Sequence, residues 1–384
     1  MEALNLNKEK LSKRERDYLD SLIVPYLKAK KDTDVLHKLF SYPAKFQARL
    51  PASIISKISE EGDLIVDPFS GGGTTSAEAV LQGRNSFAMD LNPISVLVTK
   101  AKTTILSERE VNNLISEIQV APVPKSYKFL TKDESHLLGP TLANFSEAMA
   151  KLSHKIKNRK SSYLLATVTI KRIKLAARRD KEHLRTASFQ NHKDYICNEI
   201  TKIARVFELI GSSTKCANTV ECGSNHDMPL RNGTADLIIT SPPYPSVDVE
   251  YNLIQLQRRD LRRCYRSDLP QRISQSVLNL PGSPKKKDLC NGGVDSDDYW
   301  LNSKRSLLEM KRVMKKTALC ILYIGFKGEA DQEKYEKLLK GTGLKIVKSY
   351  PVELGKERVA SSRGIYHGKE TKMMKADVLY VIRK

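Results

Sequence analysis

The sequence contains no apolar run approaching the ~18 residues that a membrane span requires. Its longest, Ala318 to Phe326, is the length of a strand. Residues Met1 to Lys13 mix Glu, Asn and Lys with Leu and hold no apolar core, so no secretory signal is expected. Cysteine is sparse: six residues, at 197, 216, 222, 264, 290 and 320, with no Cys-x-x-Cys pair. Zinc ligation is therefore unsupported, and reduced thiols in the cytoplasm are the expectation. Acids are short as well, 44 Asp and Glu against 65 Lys and Arg in 384 residues, which leaves a net charge of +21. Such an excess favours a polyanionic partner, nucleic acid ahead of an acidic membrane face, over a basic surface kept for solubility. No internal repeat is visible. The single tryptophan, Trp300, opens a predicted helix and reads as a core anchor. What the chain has is enough apolar residue, 40%, for a proper core, which excludes wholesale disorder.

The length suits one large α/β domain with a sizeable insertion, and the texture divides into residues 1–102, 103–216 and 217–384. From Leu36 to about Lys102, helical stretches alternate with strands at Asp63 to Val66 and Ser86 to Asp90. That is the β-loop-α-β unit of a doubly wound, mostly parallel sheet. From Thr103 to about Lys215 the chain turns helical and basic. Lys151 to Lys193 alone carries 13 Lys and Arg against two acids, Asp180 and Glu182. Val168 to Leu175 fits either period and is read as helix. Beyond Asn218 strands return at Asp236 to Thr240, Thr317 to Phe326, Leu344 to Tyr350 and Val378 to Ile382, with helices at Trp300 to Met314 and Asp331 to Lys340. Pro281 to Asp298, with Gly-Ser-Pro-Lys-Lys-Lys and Asn-Gly-Gly, reads as a loop.

Two motifs carry chemistry. In the first, Ile65-Val66-Asp67-Pro68-Phe69-Ser70-Gly71-Gly72-Gly73-Thr74-Thr75 follows an apolar run and opens a helix, Ser76 to Leu81. Glycines let the backbone approach a ligand that any Cβ would exclude, and amides at a helix start suit a carboxylate or phosphate. Asp90 ends the next strand, 23 residues beyond Asp67, where an acid accepts from ribose hydroxyls. Gly-Lys-Ser/Thr is absent, which excludes a P-loop, and Gly-x-Gly-x-x-Gly does not fit, which lowers a nicotinamide or flavin reading. A plain tight turn remains open for the loop taken alone.

The second motif is the more specific. In Ala235-Asp236-Leu237-Ile238-Ile239-Thr240-Ser241-Pro242-Pro243-Tyr244-Pro245 a buried strand stops in two prolines and an aromatic. Pro-Pro fixes two φ angles and removes two donors, leaving carbonyls at the carboxyl edge of the sheet, where ligands of open α/β sheets bind. Acceptor-only backbone, the Ser241 hydroxyl and the Tyr244 ring suit a planar base bearing an NH₂ group. The competing reading is a strand stop with a packed tyrosine.

Together the motifs resemble the amino-methyltransferase family that modifies DNA at N4 of cytosine or N6 of adenine. Asp67 to Thr75 looks like that family's cofactor loop, and Asp90-Leu91-Asn92-Pro93 resembles its ribose-binding acid and turn. Tyr42-Pro43-Ala44-Lys45-Phe46 is similar to a segment that packs beside the cofactor. The helix Leu308 to Met314 and the closing strands resemble the helix before the fifth strand and the antiparallel hairpin of the fold. Ser241-Pro242-Pro243-Tyr244 looks like the catalytic tetrapeptide in the form typical of N4-cytosine enzymes, although here the cofactor loop comes first, the reverse of many such members.

The resemblance implies S-adenosylmethionine as cofactor, held by Phe46, Asp67, Phe69, Gly71 to Gly73, Thr74, Thr75, Asp90 and Asn92. It implies Ser241, Pro242, Pro243 and Tyr244 as catalytic residues, with no metal, and a Rossmann-like methyltransferase fold. Residues 1–102 then form the cofactor half and 217–384 the catalytic half. The basic insert 103–216, with Arg258 to Arg263 and the 281–298 loop, is expected to grip double-stranded DNA. A cognate restriction endonuclease is a partner the resemblance admits; oligomeric state stays open. Ser224 and Asp227 stand where the family reads the cofactor's adenine, and either fits. A C5-cytosine mechanism is set aside because no Pro-Cys occurs. Transfer-RNA enzymes resemble Asp-Pro-Pro-Tyr and carry an RNA-binding domain before the loop, for which the 66 residues before Asp67 are too few.

Overall fold

Apolar runs bounded by Gly, Pro or acids become the strands of one seven-stranded sheet. The structure is a computed structural model and describes residues 13–27, 35–42, 47–176, 183–184, 186–210, 216–245, 254–256, 265–280, 297–326, 328–352 and 376–384. Four strands run parallel: β1 (Leu64–Asp67), β2 (Asn85–Asp90), β3 (Asn218–Cys222) and β4 (Ala235–Thr240). A small separate hairpin follows, β5 (Ile254–Leu256) with β6 (Tyr265–Ser267). β7 (Met314–Phe326) joins the large sheet parallel to β4. After β8 (Lys345–Val352), β9 (Ala376–Arg383) enters between β7 and β8, antiparallel to both. The order across the sheet is β3-β2-β1-β4-β7-β9-β8.

Strands buried on both faces read as continuous apolar runs rather than alternating ones, as β4, β7 and β9 do. On one face α1 (Lys13–Leu27) and α2 (Arg49–Ile58) press Leu19, Ile23, Ile54 and Ile55 onto Ile65, Leu237, Ile239 and Val381. The helix after β1, α3 (Thr74–Leu81), is buried along its first seven residues. After β2, α4 (Pro93–Thr103) starts on an Asn-Pro signal: Asn92 Oδ1 caps the Ile94 amide at 3.0 Å, and Pro93 sits where its missing N–H costs nothing.

In the stretch read as a basic insert, the regular structure among the described residues is all helical. It contains α5 (Glu108–Val120), α6 (Lys132–Leu138), α7 (Pro140–Lys155), α8 (Arg159–Ala176) and α9 (Phe189–Ile210). Val168 to Leu175 lies inside α8, as expected from the sequence. These helices share one apolar cluster with α4 (Ile94, Leu97, Val98) and with α10 (Leu269–Leu278), so the insert is fused to the sheet's own helical layer. A buried carboxylate ties it to the segment after β6: Glu134 accepts from Ser267 Oγ at 2.5 Å and pairs with Arg272. On the opposite face of the sheet from α2 lie α11 (Asp297–Val313) and α12 (Glu329–Gly341). They bring Leu307, Met310, Tyr335 and Leu339 against Ile238, Leu322 and Tyr380. Among the described residues no helix is long and apolar enough to cross a membrane.

Much of the insert's positive charge is turned inward. Lys151, Arg159, Lys160, Lys171, Lys174 and Lys193 each donate to a backbone carbonyl, and Arg172 donates to His192. Lys155 and Lys157 face solvent, while Arg178, Arg179, Lys181 and Arg185 lie outside the described residues. His192 is fully buried and stacks on Phe145 at 4.8 Å, and its Nδ1 accepts from Arg172 Nε at 2.9 Å. A second proton would have to enter at Nδ1, against the guanidinium. Burial first, then the Arg172 charge, pushes the His192 pKa down to about 4. The unfolded chain therefore takes up a proton here that the folded one refuses, between about pH 6.5 and 4. Stability from this site is intact above pH 6.5 and declines as pH falls towards 4. His192→Gln, which keeps an acceptor for Arg172 but does not titrate, should flatten that decline in chemical denaturation run across the window. An unchanged slope would contradict the assignment.

Candidate active site

The glycine loop between β1 and α3 is shaped from beneath by α4. Gly73 adopts φ +67°, and a Cβ there would lie 2.7 Å from Thr99 Oγ1 and 2.9 Å from Thr99 Cα, so only glycine fits. Gly71 has φ +48° and rests on the Tyr42 ring. Along α4, Ser95, Thr99 and Lys102 form a polar stripe facing the glycine loop. Ser95 Oγ lies 2.7 Å from both the Gly71 carbonyl and Asp90 Oδ2, and Ser70 Oγ lies within 3.3 Å of Ser95 and Thr99. The fully buried Lys102 donates to the Gly72 carbonyl at 2.6 Å. Tyr42 is brought to the loop by a segment pinned on three sides. His37 pairs with Glu78 of α3 at 2.6 Å, and α8 donates from Lys171 and Lys174 to the carbonyls of Lys38 and Ser41.

Asp90, at the end of β2, is half-exposed and does two jobs. Its Oδ2 accepts from the Gly71 amide at 2.9 Å and its Oδ1 from the Asn92 amide at 2.8 Å. Burial raises its carboxyl pKa against these bonds. A carboxylate offers about four acceptor positions, so capacity remains for a hydroxyl arriving from the open side. Asn92, expected beside the cofactor, holds the turn together. It is buried, with Oδ1 capping α4 and Nδ2 donating to the Tyr42 hydroxyl at 3.0 Å.

Asp67, at the end of β1, is also internal. Its Oδ1 accepts from the Thr240 hydroxyl at 2.7 Å and from the Phe69 amide at 3.2 Å, and Thr75 Oγ1 reaches the Ile239 carbonyl at 3.2 Å. Burial pushes the Asp67 carboxyl up to about 6. Asp67 and Thr75 thus join the glycine loop to β4. Phe69 and Gly71 are half-exposed, and Gly72 and Thr74 are buried at the start of α3. No side chain caps that helix, and Thr74 Oγ1 is buried without a partner among the described residues. Free first-turn amides, an unpaired buried hydroxyl and a carboxylate at the end of β2 are the donor and acceptor set that an amino-acid-bearing nucleoside requires. The residues present fit S-adenosylmethionine.

Beyond Thr240 the strip reaches the same edge. Ser241, Pro243 and Tyr244 are half-exposed and Pro242 is buried. The Ser241 hydroxyl makes no hydrogen bond among the described residues, whereas the Pro243 carbonyl accepts from Tyr299 Oη at 2.9 Å. Tyr244 packs where the two sheet-face clusters meet. After β3, Ser224 and Asp227 are exposed, and the buried residue is Asn225. Its Nδ2 donates to the Pro68 carbonyl at 3.2 Å, and its Oδ1 accepts from Ser306 at 2.9 Å.

The structure therefore brings the loop, Asp90 and the strip to one sheet edge. Phe46, Arg178, Arg179, Arg258 to Arg263 and residues 281–296 lie outside the described residues. Sequence reasoning missed Ser95, Thr99 and Lys102, although a polar residue every third or fourth position along the helix was a readable sign. It also missed Thr240 and Tyr299, whose partners are distant in sequence and left no such sign.

A reversed β9 between β7 and β8, on a sheet otherwise wound in parallel from β1, distinguishes the Rossmann-like methyltransferase fold from other doubly wound sheets. A profile of the DNA methylase family N6_N4_Mtase matches residues 1–100. Over that stretch the chain is similar to DNA amino-methyltransferases. It is similar to the type II methyltransferase M.MvaI of Kocuria varians, 29% identical over 89 residues that make up 22% of this chain and 20% of that one. M.MjaII of Methanocaldococcus jannaschii is 33% identical over 76 residues, 20% and 14% of the two chains. M.BsoBI of Geobacillus stearothermophilus is 33% identical over 98 residues, 24% and 19%. The matched stretch thus spans a fifth or less of each relative's length. Among solved structures, a TehB-like SAM-dependent methyltransferase from Corynebacterium glutamicum aligns with TM-score 0.31 and 9% identity over 96% of this chain and 97% of that one. A geranyl diphosphate C-methyltransferase from Streptomyces coelicolor aligns with 0.36 and 7% over 94% and 87%. Likenesses at that level carry no argument, and the fold rests on strand order and register.

Asp90→Ala should weaken binding of S-adenosylhomocysteine in calorimetry by at least about ten-fold and lower stability by about 1–3 kcal/mol, since the Gly71 amide loses its acceptor. A folded variant with unchanged affinity would remove Asp90 from the cofactor site.

Proposed function

We propose that this protein is an S-adenosylmethionine-dependent methyltransferase acting on the exocyclic amino group of a base in double-stranded DNA, with N4 of cytosine as its target. The observation that carries this reading is the meeting, at one sheet edge, of the glycine loop with a proline strip whose leading hydroxyl, Ser241, has no hydrogen-bond partner among the described residues. When bound, the cofactor supplies a methyl group already activated by its sulfonium. The chain's task is then to make a poor nucleophile competent and to hold it in line. An exocyclic amine is weak because its lone pair is delocalised into the ring. Ser241 Oγ and the Pro242 carbonyl accept from its N–H groups, which favours a pyramidal nitrogen and frees the lone pair. Tyr244 offers a ring for a base turned out of the duplex. The extra N–H proton left after transfer is released to water.

Ser at the head of the strip supports cytosine N4, since adenine-N6 relatives mostly carry Asp or Asn there. For the DNA, we assign contact to residues 103–216. Support comes from the solvent-facing Lys155 and Lys157, and from α8, whose last turns bond Lys38 and Ser41 beside the glycine loop. The tyrosine and lysines of that junction connect whatever α8 grips to the site of chemistry.

Incubation with mixed-sequence duplex DNA and cofactor, digestion to nucleosides and mass spectrometry should reveal the deoxynucleoside of N4-methylcytosine. The signal should disappear with Ser241→Ala. N6-methyladenine instead would transfer the reading to adenine, and methylation of RNA alone would overturn the substrate class. Reversing Arg178 and Arg179 to Glu should weaken DNA binding and reduce the slope of affinity against salt by about one to two. Unaltered affinity and slope would take that end of the insert off the DNA.

A further inference from the structure

With proline at 242 and 243 the strip has no N–H at either position, so donors elsewhere can fix its backbone only through carbonyls or side chains. Two side-chain anchors flank it among the described residues. Upstream, the Thr240 hydroxyl is held by Asp67. Downstream, Tyr299 Oη donates to the Pro243 carbonyl at 2.9 Å. Between them lie the Ser241 hydroxyl, with no partner among the described residues, and the Pro242 carbonyl.

Tyr299 is built to hold its position. It is 4% exposed on the first turn of α11, its ring meets Trp300 edge-on at 5.1 Å, and Lys334 covers the Trp300 ring at 4.2 Å. Burial raises its phenol pKa, so the hydroxyl remains a proton donor across the neutral range. The same helix fixes the turn after β3, through Ser306 to Asn225 and Glu309 to the Met228 amide at 2.7 Å. α11 is thus a common brace for the strip and for the turn bonded to Pro68 of the glycine loop.

We infer that Tyr299 is a positioning residue for methyl transfer: by holding the Pro243 carbonyl it fixes the Pro242–Pro243 peptide and the acceptors offered to the target amine. This rests on the amine-methyltransferase reading. Tyr299 acts through the Pro243 carbonyl it holds. Its loss should lower the rate of the chemical step and leave binding unaltered, because small misplacement of reacting groups costs rate steeply.

The test uses the full-length chain, mixed-sequence duplex DNA and radiolabelled S-adenosylmethionine under single-turnover conditions. Tyr299→Phe keeps the ring and removes the donor. The expected result is a transfer rate lower by at least about ten-fold, with the cofactor KM and the DNA dissociation constant within about two-fold of wild type. Trp300→Phe disturbs the same packing and spares the bond, and should retain the wild-type rate within about two-fold. The inference is overturned by a Tyr299→Phe rate equal to wild type, by a matching loss in Trp300→Phe, by a cofactor KM that rises as the rate falls, or by a Tyr299→Phe chain that does not fold. A wild-type chain that methylates no DNA base would overturn the underlying reading and the inference together. An active wild type with an indifferent Tyr299→Phe removes the inference alone.

Discussion

The hydrogen bond from the Thr240 hydroxyl to Asp67 Oδ1, 2.7 Å long and out of reach of water, joins the carboxyl ends of β1 and β4. Everything at the active edge is referred to it. On one side Asp67 receives the Phe69 amide and so starts the glycine loop; on the other, Thr240 is the last residue before the strip. Because Asp67 is buried, its charge is costly and its pKa is drawn up to about 6, and only the donors converging on it keep it accepting at neutral pH. The acid expected at the cofactor thus also aligns two motifs 173 residues apart.

The glycine loop depends on a second constraint. Its carbonyls at Gly71 and Gly72 are bonded from below by Ser95 and Lys102, so the peptide planes are turned by α4 before any ligand arrives. Such bonding inside a protein is stronger than in water and rigidifies the groups that make it. The segment 35–42 then links this prepared loop to the helical insert, through His37, Lys38 and Ser41 on one side and Tyr42 on the other. The basic residues of α8 are therefore part of the scaffold as well as part of the charge.

The sheet's parallel core and its reversed end were legible because β1, β2, β4, β7 and β9 carry apolar stretches of strand length, while β8 mixes apolar residues with Lys345, Lys348 and Ser349. β3 was less so, since only Val220 of Asn218–Cys222 is buried and an edge strand with one inward residue shows no alternation. The three-residue strands β5 and β6 are too short to leave any period. At the site, the loop, Asp90 and the strip were legible because glycine and proline restrict the backbone in ways few other contexts require. The direction of charged side chains was not. Seven cations between Lys151 and Lys193 bond inward, and nothing in a run of Lys and Arg distinguishes a pinned side chain from a solvated one. Asn92 was open to a second reading, as an N-cap followed by proline.

The place of β9 has a consequence for how the chain comes to be made. Residues 376–383 occupy the middle of the sheet's second half, with Val378 to Ile382 almost wholly buried, and they are preceded in synthesis by both of their neighbours. Until they emerge, the largely apolar stretch Leu319 to Phe326 of β7 is paired only on its β4 side, and β8 lacks the one strand it pairs with among the described residues. Long unpaired apolar edges are templates for pairing with another chain. The nascent protein passes through a stage open to self-association that ends only when residues 376–383 are threaded between β7 and β8.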